Sequence, residues 1–302
     1  MVDWFSYAAA LAGLKLMGLL PRSAARSLGA SLAAAAFFLH PYFRRAALFN
    51  LQLAFPEWPD AKRRAAVRTM TEQVGWMVGE FSQFPKYDRA AIERIVVIDG
   101  LENFEAARNR GKGVLFLTGH MSAWELAPFA QARYGNPLHF LVRPLANARL
   151  DGLINGYRGL AGNQPIEKNR SARAILRTLS DGGTVGILAD HNTALLEEAV
   201  FVDFFGIPAS TTSGLARLAL RTAAAVVPGF LAWDASLGKY RLGFEPAVEL
   251  SRTGDEERDV RENTQRFTRV IEDFVRAHPD QWLWVHKRWK TRPPGAPAIY
   301  PF

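Results

Sequence analysis

His120 and Glu125, five residues apart, follow directly on an apolar run, Val114 to Leu117, and the dipeptide Thr118-Gly119. The run reads as a buried strand, and MSAWELAPFAQARY after it reads as a helix. His120 is thereby set at the carboxyl end of a strand, the edge at which α/β sheets hold their ligands. Glu125 falls in the first turns of the helix, within reach of the imidazole. A histidine oriented by a carboxylate is a general base, able to take a proton from a hydroxyl near neutral pH. The spacing by itself is weak, because a histidine at a strand end is often only a surface or capping residue.

Further polar residues fall at other strand ends. Thr184 to Ala189 reads as a strand that delivers Asp190 and His191, which line the same crevice if the strands are neighbours. Leu138 to Val142 is a strand ending at Arg143-Pro144. Arg143 can grip a phosphate through two parallel hydrogen bonds, or simply hold the next loop. Glu198 sits in a loop-rich stretch, 193–208, either meeting a substrate hydroxyl or solvated beside Glu197.

His120, Glu125, Asp190 and His191 could mimic a metal site. The chain has no HxxxH or HExxH spacing, and a histidine–carboxylate pair accounts for the residues, so no metal is expected. There is no cysteine, which excludes disulfides, thiolate catalysis and cysteine-ligated metals. No GxSxG elbow is present, and Thr211 and Ser213 read as helix caps rather than nucleophiles.

The elements needed to position these groups alternate. Short strands at 95–98, 113–118, 138–142, 184–189, 226–232 and 240–244 are separated by helical stretches, and a long helix spans 256–277. This alternation predicts an α/β fold, with a mixed, mostly parallel sheet flanked by helices. With 302 residues and 49% apolar content, the chain can bury a sizeable core. Residues 41–302 form the expected main domain, and 1–40 an amino-terminal helical extension.

That extension is apolar from Trp4 to Leu20 and again from Ala24 to Leu39. Each segment is slightly short for a bilayer span of ~20 residues. No positive charge precedes the first, and no small-residue cleavage site follows it, so a secretory signal peptide is not expected. A short anchor, a pair of interfacial helices and a pair of core helices all remain open. The net charge of +8, with Arg22, Arg26, Arg44, Arg45 and Lys62-Arg63-Arg64 near the apolar segments, suits anionic headgroups. Nucleic acid is not expected as a partner, since no helix-turn-helix, zinc-finger or RNP-like pattern occurs. In the tail, Trp282 and Trp284 read as core, whereas His286, Lys287, Arg288, Trp289, Lys290 and Arg292 suit an interface or a lipid phosphate.

Four segments in order, HMSAWE (120–125), FLVRP (140–144), EEAVFVDFFG (197–206) and AVVPGF (225–230), resemble the four blocks of the glycerolipid acyltransferase superfamily. The narrower likeness is to the late acyltransferases of lipid A biosynthesis. It is carried by NLQLAFPE (50–57), by the block 201–230 and by PDQWLWVHKRWKTRP (279–293). Ala199 departs from the glycine common after the glutamate, which weakens the case for Glu198. The resemblance implies acyl transfer from an acyl carrier protein thioester to a hydroxyl of a lipid A precursor, with no cofactor. His120 would be the base and Glu125 its orienting carboxylate. Arg143, Arg158, Asp190, His191 and Glu198 would bind substrate, with Arg158 an oxyanion donor or, failing that, a surface residue. It also implies a place at the cytoplasmic face of the cell inner membrane, peripheral or single-pass. Phosphatidylinositol mannoside or a lysophospholipid is the alternative acceptor.

Overall fold

The computed structural model describes residues 2–167 and 171–302. In chain order the helices are α1 (Val2–Leu19), α2 (Arg22–Leu39), α3 (Pro41–Ala54), α4 (Asp60–Gln83), α5 (Arg89–Ile95), α6 (Leu101–Arg108), α7 (Leu126–Arg133), α8 (Ala148–Gly159), α9 (Ser171–Ser180), α10 (Gly214–Thr222) and α11 (Glu256–Ala277). The strands are β1 (Val96–Asp99), β2 (Val114–Thr118), β3 (His139–Val142), β4 (Gln164–Glu167), β5 (Thr184–Leu188), β6 (Ala199–Phe204), β7 (Ile207–Thr212), β8 (Ala225–Asp234) and β9 (Lys239–Phe244).

Seven strands form one sheet in the order β1-β9-β8-β2-β5-β3-β4, parallel except where β8 meets β9. β2 is central, paired in parallel with β5 on one side and β8 on the other. Its residues alternate between two cores, with Leu115 and Leu117 facing one and Val114 and Phe116 the other. Both faces are therefore covered, as near-continuous apolar strands require. This is the mixed, mostly parallel sheet with flanking helices that the alternation predicts.

The structure corrects several expected boundaries. The helix expected from 122 begins only at Leu126, and residues 120–125 form a tight turn in which Ser122 takes φ 48°. The stretch 193–208, expected as loop, holds most of an antiparallel β6–β7 hairpin. Its two-residue turn places Phe205 at φ 56° and Gly206 at φ 74°, the pattern of a type I′ turn. A phenylalanine in place of the usual Asn or Asp hid this signal. Phe205 is held there because its amide donates to Glu272 (2.8 Å) and its ring lies under Arg276 (4.3 Å).

The amino-terminal helices dock on the sheet-bearing part through small residues. A Cβ on Gly29 of α2 would lie 2.1 Å from the Gly75 carbonyl of α4, and one on Gly79 would lie 2.8 Å from Ala25 O. Only glycine permits such backbone approach. Arg22 and Arg26, expected at headgroups, instead turn inward. Arg22 binds the fully buried Glu80 (2.6 Å), and Arg26 lies against the rings of both Trp76 (3.7 Å) and Trp233 (4.2 Å). Tyr87 donates to the second oxygen of Glu80 (2.6 Å). Burial and the adjacent Glu80 carboxylate hold the Tyr87 hydroxyl far above its ordinary pKa, so it stays protonated. Among the described residues, no helix is long and apolar enough to cross a membrane. Trp4, Phe5, Leu16, Leu19, Phe38 and Leu39 of α1 and α2 nonetheless remain exposed.

Candidate active site

β2 and β5 run parallel and side by side, so their carboxyl ends bring His120 and Asp190 together. The Asp190 carboxylate is wholly buried and has three partners. Oδ1 meets His120 Nδ1 at 2.8 Å, while Oδ2 accepts from the His120 amide (2.8 Å) and from Trp282 Nε1 (2.7 Å). Burial opposes its ionisation, but His120 and these donors hold its pKa far below the ordinary carboxylate range. Ionised Asp190 can only accept, so the proton on His120 sits at Nδ1 and Nε2 carries the free lone pair. Burial lowers the pKa of His120, and the Asp190 charge and hydrogen bond more than offset this, leaving it above that of an ordinary imidazole.

Asp190, expected to line the crevice, is buried instead, and its carboxylate holds the ring of His120. The expected partner, Glu125, is engaged elsewhere. It stands just before α7 and is bound bidentately by Arg158 of α8, with Nε at 2.8 Å from Oε2. Arg158 also donates to Asn155 (3.2 Å), so it is no free surface arginine. Glu125 remains near enough for its charge to act on His120, though as the least of the contributions.

Beside this turn opens a narrow cavity of about 80 Å³. Phe116, Phe129, Leu138, Phe140, Leu141 and Ile187 make it apolar, while Thr118, Trp124, Glu125 and Arg158 contribute its polar wall. The residues flanking His120 in sequence therefore border an apolar slot. Gly229 of β8 permits this packing, since a Cβ there would lie 2.1 Å from the Phe116 ring.

His191 stacks flat on His120, with centroids 4.0 Å apart and planes at 5°, and His286 stacks on His191 at 3.9 Å and 16°. His120, Asp190 and His191 place ligand-type atoms within 4.8 Å of one another. Parallel rings direct their lone pairs in separate planes, a poor arrangement for the tetrahedral geometry that histidine-bound zinc prefers.

The remaining expected residues lie outside this cluster. Arg143 is exposed just beyond β3. Glu198 is exposed in a short turn, and its backbone carbonyl, not its carboxylate, is what Ser213 binds (2.8 Å).

The carboxyl-terminal segment supplies what the sequence reading missed. Besides the Trp282 bond, Leu283 N donates to His120 O (3.0 Å) and Ser122 N to Gln281 O (2.8 Å), which brace the His120 turn. His286, Arg288 and Trp289, expected at an interface, face inward, with Arg288 and Trp289 buried. Asn50 of α3 fastens this segment by donating to Trp284 O (2.6 Å) and His286 O (2.8 Å), and it accepts from Tyr300 (2.6 Å). The signal available was the sequence NLQLAFPE itself, since an asparagine inside a helix with apolar neighbours calls for a buried partner.

Comparison with known proteins gives the family. A "Lipid A biosynthesis acyltransferase" of Haemophilus influenzae is 27% identical over 252 residues, 83% of this chain and 77% of that protein. The "Lipid A biosynthesis lauroyltransferase" of Escherichia coli is 30% identical over 253 residues, 83% and 80% of the two chains. The "Lipid A biosynthesis myristoyltransferase" of Escherichia coli is 28% identical over 252 residues, 83% and 76%. The family profile described as bacterial lipid A biosynthesis acyltransferase matches residues 2–291, and so spans both the His120 turn and the tryptophan-rich segment that braces it. With a family profile over nearly the whole chain and a relative at 30% identity, the chain belongs to the bacterial lipid A biosynthesis acyltransferase family.

Proposed function

We propose that this acyltransferase moves a fatty acyl chain from an acyl carrier protein thioester to a hydroxyl of a lipid A precursor. The carrying observation is the His120–Asp190 pair, with its sequence neighbours Thr118, Trp124 and Glu125 lining the apolar slot. Nε2 of His120 takes the proton of the acceptor hydroxyl as its oxygen attacks the thioester carbonyl. Asp190 stabilises the imidazolium that forms, as a buried carboxylate does in hydrolase triads. The tetrahedral intermediate collapses with cleavage of the C–S bond. The thiolate is a good leaving group and takes up a proton, from His120 or from water, so neither a protein nucleophile nor a cofactor is needed.

The donor chain lies in the slot between β2, β5 and α7. Glu125 holds Arg158 at the wall of this slot, where a guanidinium can meet negative charge growing on the carbonyl oxygen. In this reading Glu125 acts through Arg158 and Asp190 acts through His120. The exposed apolar residues of α1 and α2 support a peripheral seat on the inner membrane, with the active site facing the cytoplasm. A test in cells uses a strain whose lipid A lacks late acylation. Expression of the chain should add one acyl mass to extracted lipid A, and His120→Ala should not. Unchanged lipid A with well-expressed protein, together with a new acyl mass in the phospholipid fraction, would reject the acceptor.

A further inference from the structure

His120, His191 and His286 come from three separate segments yet form one column of stacked rings. The far end of the column is fixed. The backbone of His286 is held by Asn50, and its Nε2 accepts from the Asn192 amide (2.9 Å), so its ring cannot turn freely. The middle ring is different. His191 Nε2 is buried and has no hydrogen-bond partner among the described residues. Its polar nitrogen is left unused, and its flat faces are fully used.

The charged and titratable groups facing His191 are Asp190, His120, His286 and Arg288. Arg288 is fully buried, has no carboxylate partner among the described residues, and donates to Ser210 O (2.8 Å) and to Thr211 Oγ1. Burial, with this cation nearby, pushes His191 down to about 4 and His286 down to about 3, against the pull of Asp190. Both rings are neutral near pH 7, so His120 alone in the column takes up protons.

We propose that His191 is a positioning residue for the base, clamping the His120 ring flat against a backstop formed by His286. Asp190 fixes one nitrogen of His120, which still leaves the ring free to tilt about that hydrogen bond. The stacked face removes the tilt and aims Nε2 in one direction. The proposal rests on the reading of His120 as the base.

The test compares His191→Ala, His191→Phe and wild type by two readouts. One is kcat and KM for acyl transfer. The other is the NMR spectrum of the ring-labelled His120 in lipid-free protein, which needs no substrate. Phenylalanine keeps the flat face and breaks no ring hydrogen bond at Nε2. For His191→Ala, kcat should fall about 10- to 100-fold with KM little changed, the scale of a misplaced reacting group. The His120 ring signals should broaden or shift. His191→Phe should restore sharp signals and most of kcat. A His191→Phe enzyme as slow as His191→Ala would overturn the proposal. So would a raised KM with unchanged kcat, which would mark a substrate contact. If His191→Ala fails to fold, His286→Ala, which removes the backstop together with the bond its Nε2 accepts from the Asn192 amide, should show the same broadening in weaker form. Unchanged His120 signals there would also overturn it. If the wild-type protein transfers no acyl group, the reading of function fails, while the NMR comparison still decides whether His191 clamps His120.

Discussion

At the residue scale, the chemistry turns on which carboxylate serves His120. The spacing of His120 and Glu125 was legible in the sequence, and so was the likeness it carries. The partner was not, because Asp190 lies 70 residues away and only the parallel pairing of β2 with β5 brings it there. Glu125 was read as that partner because nothing local shows that Arg158 reaches it from another helix. The two carboxylates should behave differently under pH. His120 works as a base only when neutral, and its pKa is raised above that of an ordinary imidazole, so rate should rise with pH through this raised pKa. Asp190→Asn removes the charge that raises this pKa and leaves the burial that lowers it. The acid limb of kcat/KM should move to lower pH, and the plateau should fall by about 10²-fold or more as the imidazolium loses its support. Glu125→Gln should lower turnover while moving the limb little, since its charge is the weakest influence on the ring. A limb that follows Glu125 and ignores Asp190 would reverse the assignment.

At the element scale, two close approaches carry the architecture. Gly186 of β5 borders the apolar slot, and a Cβ there would stand 3.2 Å from Leu138 Cδ1. Gly186→Leu should fill the slot and shift donor preference to shorter chains by several carbons. A competition assay with acyl carrier protein thioesters of mixed length reads this directly, and an unchanged preference would place the chain elsewhere. Gly75 sits where α2 crosses α4, and its Cβ would lie 2.4 Å from Ala30 Cα. Gly75→Leu should force the helices apart and destabilise the protein by at least ~1–3 kcal/mol, seen as a lower Tm and faster proteolysis within residues 1–40. The strands with uninterrupted apolar runs were legible, as was the break between α3 and α4 at FPEWPD. The β6–β7 hairpin was not, because its turn lacks the Asn-Gly or Asp-Gly signature and is enforced by Glu272 and Arg276 of α11. β4 escaped because QPIE alternates poorly and contains a proline tolerated only at a sheet edge.

At the scale of the whole molecule, charge and apolar surface divide the work of reaching a lipid. Arg22 and Arg26 were misread from sequence because nothing local reveals that Glu80 waits for them. Arg44 and Arg45 stay exposed, next to the uncovered Phe38 and Leu39. Binding to vesicles containing anionic lipid should therefore weaken with salt and fall sharply in a Phe38→Ser/Leu39→Ser double variant. Flotation with and without salt measures both, and undiminished binding would locate the membrane contact elsewhere. The central claim is acyl transfer to a lipid A precursor with His120 as base. Its most direct test is mass spectrometry of the purified enzyme's products, with acyl carrier protein thioesters as donor. A tetra-acylated lipid A precursor and a lysophospholipid would be offered in parallel. The expected result is a gain of one acyl chain on the lipid A precursor, lowered about 10²- to 10⁴-fold in His120→Ala. A gain confined to the lysophospholipid, or an equal gain in His120→Ala, would contradict it.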